Sequence, residues 1–194
     1  MSRFTIVTEG EQDVALLKAL LNVPDNDANV TFIANRGWSS ADTYARSLLI
    51  RGDTNVVLVV DADSTDPNLV EHRRRFLHGS LGEIASSCLW KVYVIEPEIE
   101  GLLFKDRAVV EALVGHPISD TDFIAATWEP KAILQRLMHG KSLTTVYDSR
   151  LGDLDLSGIR KVHPIPEILA FLNSEGPRRS TNRKKLAPSL NKAV

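Results

Sequence analysis

Acidic residues follow three short apolar runs of this sequence, each at the point where the run ends. If the runs are neighbouring parallel strands, their carboxyl ends meet at one edge of a sheet, where such sheets bind ligands. Carboxylates gathered there would repel one another. A divalent cation such as Mg²⁺ would offset that repulsion and keep water positions that a phosphate can take. The three groups are Glu9, Glu11 and Asp13, then Asp61, Asp63 and Asp66, then Glu96, Glu98 and Glu100. The candidate site residues among them are Glu9, Asp61, Asp63, Glu98 and Glu100.

The chain around these residues alternates between predicted strands and predicted helices. An unbroken apolar run such as 56–60 is typical of a central strand that is buried on both faces. The alternation predicts an α/β fold, with a central, mostly parallel sheet flanked by helices. Ser39 with Asp42 predicts a capping box at the start of the second helix. Strands are predicted at residues 4–8, 30–34, 55–60 and 89–95, and helices at 11–22, 39–49, from 67 onward, within 107–139 with breaks at two prolines, and at 165–173.

Acids after strands also have a purely structural explanation, because Asp and Glu stabilise helix N-termini. Asp13 and Asp66 are interpreted as helix-start residues, and Asp66 stands directly before Pro67, a favourable first helical residue. The pair Asp61 and Asp63 follows a wholly apolar strand and is harder to explain in this way. Two carboxylates at alternate positions can both turn toward one ion in the following loop.

Composition limits the classes of protein that remain. The chain has 194 residues, 43% of them hydrophobic and 25% charged, which excludes a disordered or coiled-coil protein. We expect one domain over residues 1–175 and a basic, flexible tail over 176–194. The tail carries six Lys and Arg and no acid, so the net charge of −2 averages an acidic body and a basic tail. A single cysteine, no signal peptide and no apolar run of about 18 residues predict a cytoplasmic protein without a membrane segment.

Two motifs in order resemble those of TOPRIM domains, the catalytic modules of topoisomerases and bacterial primases. The first is an apolar strand, then Glu9-Gly10, then Asp13 at the start of a helix; the second is Asp61-Ala-Asp63 after a buried strand. A third element, Glu96-Pro-Glu98-Ile-Glu100, is similar to the Pro-x-x-Glu element of stand-alone TOPRIM proteins and of the overcoming-lysogenization-defect (OLD) nucleases. The resemblance covers residues 3–104, and residues 105–175 are expected to form a helical extension.

The resemblance implies a Rossmann-like TOPRIM fold that hydrolyses phosphodiester bonds of nucleic acid with Mg²⁺ or Mn²⁺. Carried over to this sequence, Glu9 is a general acid/base or a metal ligand, and Asp61 and Asp63 are metal ligands. Glu100, or else Glu98, supports a second ion, so mechanisms with one and with two metals both remain open. DNA and RNA both remain open as substrates, and the sequence does not determine the oligomeric state.

Departures from the family narrow the expected activity. No tyrosine of the topoisomerase kind can be assigned, since Tyr44, Tyr93 and Tyr147 lie within predicted core elements. The chain has no room for the further domains of a primase or topoisomerase, and it lacks the glycine-rich phosphate loop of the OLD ATPase half. We therefore expect a stand-alone nuclease or RNA-processing enzyme, with any ATPase supplied as a separate partner protein. Defence against phage or plasmids is one setting, by analogy alone.

Basic residues are needed to hold a nucleic-acid backbone. One expected contact is Arg36, which precedes Trp38, although a packed Trp38 in a capped helix is an equal alternative. The triplet Arg73–Arg75 is interpreted as a solvated helix face with a Glu71–Arg75 ion pair. The tail is expected to contact the backbone, or else to serve as a solubilising end. Its candidate residues are Arg178, Arg179, Arg183, Lys184 and Lys185.

Two other functions compete with hydrolysis of nucleic acid. Asp61-Ala-Asp63-Ser-Thr65 matches the Asp-x-Asp-x-Thr loop of haloacid-dehalogenase phosphatases, in which Asp61 would be the nucleophile. That loop belongs after the first strand of such a domain, whereas two predicted strands precede it here. The other alternative is a non-catalytic TOPRIM-like module that binds metal, nucleic acid or a protein. The presence of Glu9, Asp61 and Asp63 together argues against it, because a scaffold does not need all three.

Overall fold

The strand that the sequence marks as central is buried along its whole length in a computed structural model of the chain, which describes residues 3–24, 26–84 and 86–174. The strands are β1 (Phe4–Thr8), β2 (Val30–Ala34), β3 (Asn55–Asp61) and β4 (Trp90–Ile95). Within the described residues they form one sheet in the order β2-β1-β3-β4, and every pairing is parallel. The predicted α/β class with a parallel central sheet is therefore confirmed.

Helices cover both faces of this sheet. The α-helices are α1 (Glu11–Leu21), α2 (Trp38–Arg51), α3 (Pro67–Gly82), α4 (Arg107–Val114), α5 (Asp120–Ala125), α6 (Pro130–Leu137), α7 (Leu143–Arg150) and α8 (Ile165–Leu172), and 3₁₀ segments span Ile99–Lys105, Leu151–Asp153 and Ile159–Lys161. Successive side chains of a strand point to opposite faces. Val56 and Leu58 accordingly pack with α2 and α3, whereas Val57 and Val59 pack with α1 and the helices after β4. Burial on both faces explains why β3 is apolar throughout.

The strand order creates a crevice at one place on the carboxyl edge. β1 has β2 on one side and β3 on the other, so the direction of winding reverses between β1 and β3. Open α/β sheets bind ligands at such a switch point. Glu9 follows β1 directly and Asp61 is the last residue of β3. Two of the predicted site residues, Glu9 and Asp61, therefore lie at the crevice.

The helix starts agree with the sequence in one case and differ in another. Asp66 caps α3, and its carboxylate accepts the backbone N–H of Asn68 at 2.8 Å, as predicted. The capping box at Ser39 and Asp42 is wrong, because α2 begins one residue before Ser39. Asp42 instead accepts a hydrogen bond from the Ser80 hydroxyl at 2.9 Å, which joins α2 to α3. The spacing of Ser39 and Asp42 is that of a capping box, but Asp42 stabilises the packing of two helices instead.

No helix among the described residues is long and apolar enough to cross a membrane. The basic tail, 176–194, lies outside the described residues. The five tail residues that we expect to bind nucleic acid, and the predicted boundary between domain and tail, therefore stay predictions.

Candidate active site

Glu9 and Asp61 are joined directly across the crevice. Oε1 of Glu9 accepts the backbone N–H of Asp61 at 2.8 Å. Burial raises the pKa of Glu9 above its usual value, and the nearby charges of Asp63 and Asp13 raise it further, while the Asp61 N–H opposes the shift. The first two predicted motifs, about 50 residues apart in the sequence, thus meet at one edge through a hydrogen bond.

Asp61 is a buried carboxylate held by the segment that follows β4. Its Oδ1 accepts the backbone N–H of Ile99 at 2.8 Å, and the residue is only 7% exposed. Burial raises the pKa of Asp61 to about 9, and the neighbouring charges of Asp13 and Glu100 add to the effect. Without a cation in the crevice, the fold therefore favours a proton on this side chain.

Glu100 is the most deeply buried acid of the site. It is fully buried, and neither of its carboxylate oxygens has a hydrogen-bond partner. Burial raises the pKa of Glu100 to about 7, even though the ammonium of Lys131 lowers it. Buried polar atoms without partners are rare in folded proteins, and their presence at a ligand-binding edge points to a ligand.

Asp13 both starts a helix and contributes to the site. Its Oδ2 accepts the backbone N–H of Gly10 at 2.8 Å, which confirms the helix-start interpretation. Its Oδ1 is buried and unpartnered, and burial raises the pKa of Asp13. Asp13 also ranks first among the charges that raise the pKa of Asp61. The sequence predicts only the first of these two roles for Asp13.

Asp63 differs from the other acids of the site because its carboxylate is bound by an arginine. It is exposed and adopts a left-handed backbone conformation, with φ of 49°. Its Oδ2 accepts a hydrogen bond from Nη1 of Arg73 at 2.6 Å, and the same nitrogen donates to the backbone oxygen of Asp61 at 2.7 Å. Arg73 therefore bridges the two aspartates of the second motif.

The arginine triplet on α3 consequently has two functions. The predicted ion pair between Glu71 and Arg75 is present at 2.7 Å, and Arg74 also pairs with Glu71, at 2.8 Å. The interpretation of a solvated face is right for these two arginines and wrong for Arg73. Consecutive helical residues point in different directions, and residue types alone did not indicate which of the three would face the acids.

Lys131 enters the site from α6 and was missed by the sequence analysis. Its Nζ lies 3.8 Å from Oε1 of Glu100. Its backbone N–H donates to Oε2 of Glu98 at 3.0 Å, so Glu98 anchors the start of α6. Burial lowers the pKa of Lys131, but the charges of Glu100 and Asp13 outweigh this and raise it. A signal did exist: Lys131 follows Pro130 in the first turn of a helix, where cations are unfavourable.

Tyr147 completes the buried surroundings of the acids. The residue is 2% exposed, as expected of a core position, and its hydroxyl has no hydrogen-bond partner. Burial raises the pKa of Tyr147 well above its usual value, and the charges of Glu100 and Asp13 raise it further. Tyr147 thus places a buried phenol on α7 close enough to Glu100 and Asp13 to be affected by their charges.

The donor chemistry of this edge fits a hard divalent cation. Carboxylate oxygens are the ligands that Mg²⁺ prefers, and three buried oxygens, on Glu100 and Asp13, lack hydrogen-bond partners. The geometry is not that of a ready-made cage, because within the described part of the chain no three Asp, Glu, His or Cys side chains group closely enough to hold a metal ion. Backbone N–H groups and Arg73 hold the oxygens of Glu9, Asp61 and Asp63 instead.

Arg36, the one predicted nucleic-acid contact within the described residues, lies in a loop that is hydrogen-bonded to the backbone of Glu9. It is exposed, in the loop between β2 and α2. The next residue, Gly37, donates its backbone N–H to the backbone oxygen of Glu9 at 3.2 Å. The loop that carries Arg36 is therefore fixed to the same edge as the acidic cluster.

Comparison with solved structures shows the same fold in two proteins. The C-terminal region of the Burkholderia pseudomallei OLD protein matches with a TM-score of 0.57 and 15% sequence identity, over 89% of this chain and 97% of that one. The C-terminal region of the Xanthomonas campestris pv. campestris OLD protein matches with a TM-score of 0.51 and 17% identity, over 89% and 96%. No family model and no curated protein matches the chain. The OLD-like TOPRIM fold that the sequence resemblance implied is confirmed.

Proposed function

We propose that this chain hydrolyses phosphodiester bonds of nucleic acid with the help of Mg²⁺ or Mn²⁺. The observation that carries the proposal is the burial of Asp61, Asp13 and Glu100 at the switch point of the sheet, with Glu9 hydrogen-bonded to Asp61. Grouping acids in a buried crevice destabilises the ionised protein, so their presence there suggests a cationic ligand. The shared fold with OLD C-terminal regions supports the same class of function.

The carboxylates of the site would hold the metal, and we assign them to two ions. Glu9, Asp61 and Asp63 are the ligands that we propose for a first ion, with Asp13 and Glu100 supporting a second ion. Glu98 is the weaker candidate, since one of its oxygens already binds the Lys131 backbone. A bound Mg²⁺ or Mn²⁺ supplies charge neutralisation at the phosphoryl oxygens and a lowered pKa for its water.

The protein's own residues contribute proton transfer and positive charge. The raised pKa of Glu9 brings this carboxyl nearer to neutral pH, which suits a general acid or base. Lys131 lies 3.8 Å from Glu100 and Arg73 lies 2.6 Å from Asp63, and the two supply the cations that a negatively charged phosphodiester needs. We propose Lys131 and Arg73 as phosphate-binding residues, in addition to Arg36 and the five candidate residues of the tail.

A separate ATPase remains the proposed partner protein. The described residues contain no part that we assign to ATP binding, and the two structural neighbours are themselves C-terminal regions of larger OLD proteins. The phosphatase alternative is weaker. Asp61 ends the third strand along the chain, whereas the nucleophile loop of a haloacid-dehalogenase phosphatase follows the first strand.

The test is hydrolysis of plasmid DNA and of structured RNA by the purified chain, in EDTA, Mg²⁺ or Mn²⁺. Asp61→Asn removes a proposed metal ligand at constant size, and Asp148→Asn, an exposed acid on α7, is the matched control. We expect metal-dependent cleavage by the wild type and the control, and none by Asp61→Asn. Binding without cleavage would favour the non-catalytic module. Hydrolysis of aryl phosphates without cleavage of nucleic acid would favour the phosphatase.

A further inference from the structure

An exposed apolar stripe on α3 has no explanation in the core. This helix buries Val70 and Leu77 against the sheet, whereas Leu69 and Phe76 remain 59% and 51% exposed. Leu69, Arg73 and Phe76 are spaced i, i+4, i+7 and therefore lie along one side of the helix. Two large apolar side chains thus flank the arginine that contacts the acids.

Trp38, at the start of α2, lies against this stripe. Its ring centre is 5.7 Å from that of Phe76, with the two planes nearly perpendicular at 86°. The guanidinium carbon of Arg73 lies 5.3 Å from the Trp38 ring centre, a cation–π distance. Trp38 is itself half-buried against the core, so Phe76 is the ring that the pair presents to solvent. We call Trp38, Leu69 and Phe76 the aromatic surface.

The aromatic surface is continuous with the candidate active site. Arg73 donates from one nitrogen to both Asp61 and Asp63, at 2.7 and 2.6 Å. The residue before Trp38, Gly37, is hydrogen-bonded to the backbone of Glu9. The aromatic surface therefore adjoins the acidic edge of the sheet, on the side of α2 and α3.

The charge around the aromatic surface favours a negatively charged occupant. Arg36 is exposed and forms no hydrogen bond or ion pair with any residue that the structure describes. Arg73 is the second cation, and its side chain keeps 21% of its area exposed. Rings with arginines beside them are the combination that binds single strands, because bases stack on the rings and phosphates bind the cations.

We propose that the aromatic surface stacks unpaired bases of a single-stranded nucleic acid, with Arg36 and Arg73 holding the adjacent phosphates. This inference rests on the proposed function, because it takes the neighbouring acidic edge as the place of hydrolysis. Bases within a duplex have both faces covered by their neighbours, so stacking on Phe76 requires a base that is free of its stack. The structure thereby assigns a substrate class: single strands, or single-stranded parts of folded molecules.

The test compares binding of two labelled oligomers to the full chain by fluorescence anisotropy, in EDTA so that no cleavage occurs. One is a twelve-nucleotide oligothymidine, and the other is an abasic chain of the same length and charge. The variants are Phe76→Ala, Phe76→Leu, which keeps an apolar side chain but no ring, and Ile50→Ala. Ile50 is 71% exposed at the opposite end of α2 and serves as the control.

We expect both Phe76 variants to lose about tenfold in affinity for oligothymidine, the loss typical of one stacked base. Their affinity for the abasic chain should equal that of the wild type, and Ile50→Ala should change neither. Equal losses on both oligomers, or no loss, would overturn the proposal. So would self-association of the wild type in sedimentation that Phe76→Ala abolishes without a change in oligothymidine binding, since the surface would then bind a second copy.

The outcome separates this inference from the proposed function, because binding is measured without metal. If the wild type cleaves nucleic acid in Mg²⁺ but Phe76→Ala binds oligothymidine normally, the stacking role is wrong and hydrolysis stands. If the Phe76 variants lose base-dependent binding but no cleavage occurs in any metal, hydrolysis is wrong and the stacking surface stands.

Discussion

The carboxylate of Glu9 accepts the backbone N–H of Asp61 at 2.8 Å, and this hydrogen bond joins the ends of two neighbouring parallel strands. Glu9 thereby has a structural task in addition to its proposed catalytic one. The two tasks can be separated, since an amide oxygen can accept the same hydrogen bond but cannot act as an acid or base.

Glu9→Gln should therefore preserve the fold and abolish activity. We expect a free energy of unfolding within about 1 kcal/mol of the wild type, because the amide oxygen still accepts the Asp61 N–H. Metal-dependent cleavage should fall about 100-fold or more, the loss typical of a removed general acid or base. Urea unfolding and initial rates of plasmid nicking measure the two effects. Wild-type nicking by Glu9→Gln would contradict the proposed role.

The raised pKa of Asp61 predicts an unusual dependence of stability on pH in EDTA. The pKa rises from 3.8 unfolded to about 9 folded, so the folded state retains a proton that the unfolded state releases. The stabilisation is complete below pH 4 and is lost as the pH rises toward 9. Between pH 5 and 9 we expect the urea midpoint of the wild type to fall, and that of Asp61→Asn to fall less. A midpoint that rises with pH over this range would contradict the buried position of the acid.

Divalent metal should reverse this trend. Mg²⁺ or Mn²⁺ binds ionised carboxylates of the folded state, so it should raise the melting temperature most at pH 8 and little at pH 5. At a metal concentration of about 100 times the dissociation constant, the gain is about 2.7 kcal/mol. Thermal unfolding with and without EDTA measures it. Asp61→Asn should show a much smaller shift, and equal shifts in both proteins would place the metal elsewhere.

Arg73 and Arg75 form a matched pair for testing contact with phosphate. Both are arginines of α3 with acidic partners, but Arg73 binds Asp63 at the acidic edge whereas Arg75 binds Glu71 on the solvated face. Arg73→Ala should weaken binding of nucleic acid several-fold and reduce the slope of log affinity against log salt by about 1. Arg75→Ala should change neither. Anisotropy titrations over a range of salt concentrations provide the measurement, and equal effects would assign no special role to Arg73.

Lys131 should stabilise the protein through Glu100. Lys131→Met leaves a fully buried carboxylate without its counter-charge, and we expect a loss of about 1–3 kcal/mol at pH 8 in EDTA. Adding Glu100→Gln removes the uncompensated charge, so the double variant should be more stable than the sum of the single changes indicates. Chemical unfolding of the four proteins gives the coupling energy. Strict additivity would show that the two charges do not interact.

Features that depend on local chemistry could be predicted from the order of residues alone. The apolar run of β3 indicated the central strand, and Asp66 before Pro67 indicated the start of α3. Both signals lie within the few residues of the element that they predict. Placing Glu9 and Asp61 at strand ends was enough to predict that they lie at one edge. Parallel strands bring their carboxyl ends together whatever the intervening chain does.

The identity of the cations that contact these acids depends on how the helices pack around the sheet. Lys131 follows Glu100 by 31 residues, and the two approach because α6 packs on the 3₁₀ segment after β4. Arg73 differs from Arg74 and Arg75 only in its angle around α3, and that angle matters because the sheet lies on one side of the helix. No local pattern specifies such contacts. They depend on how whole elements pack, which is a property of the complete core rather than of neighbouring residues.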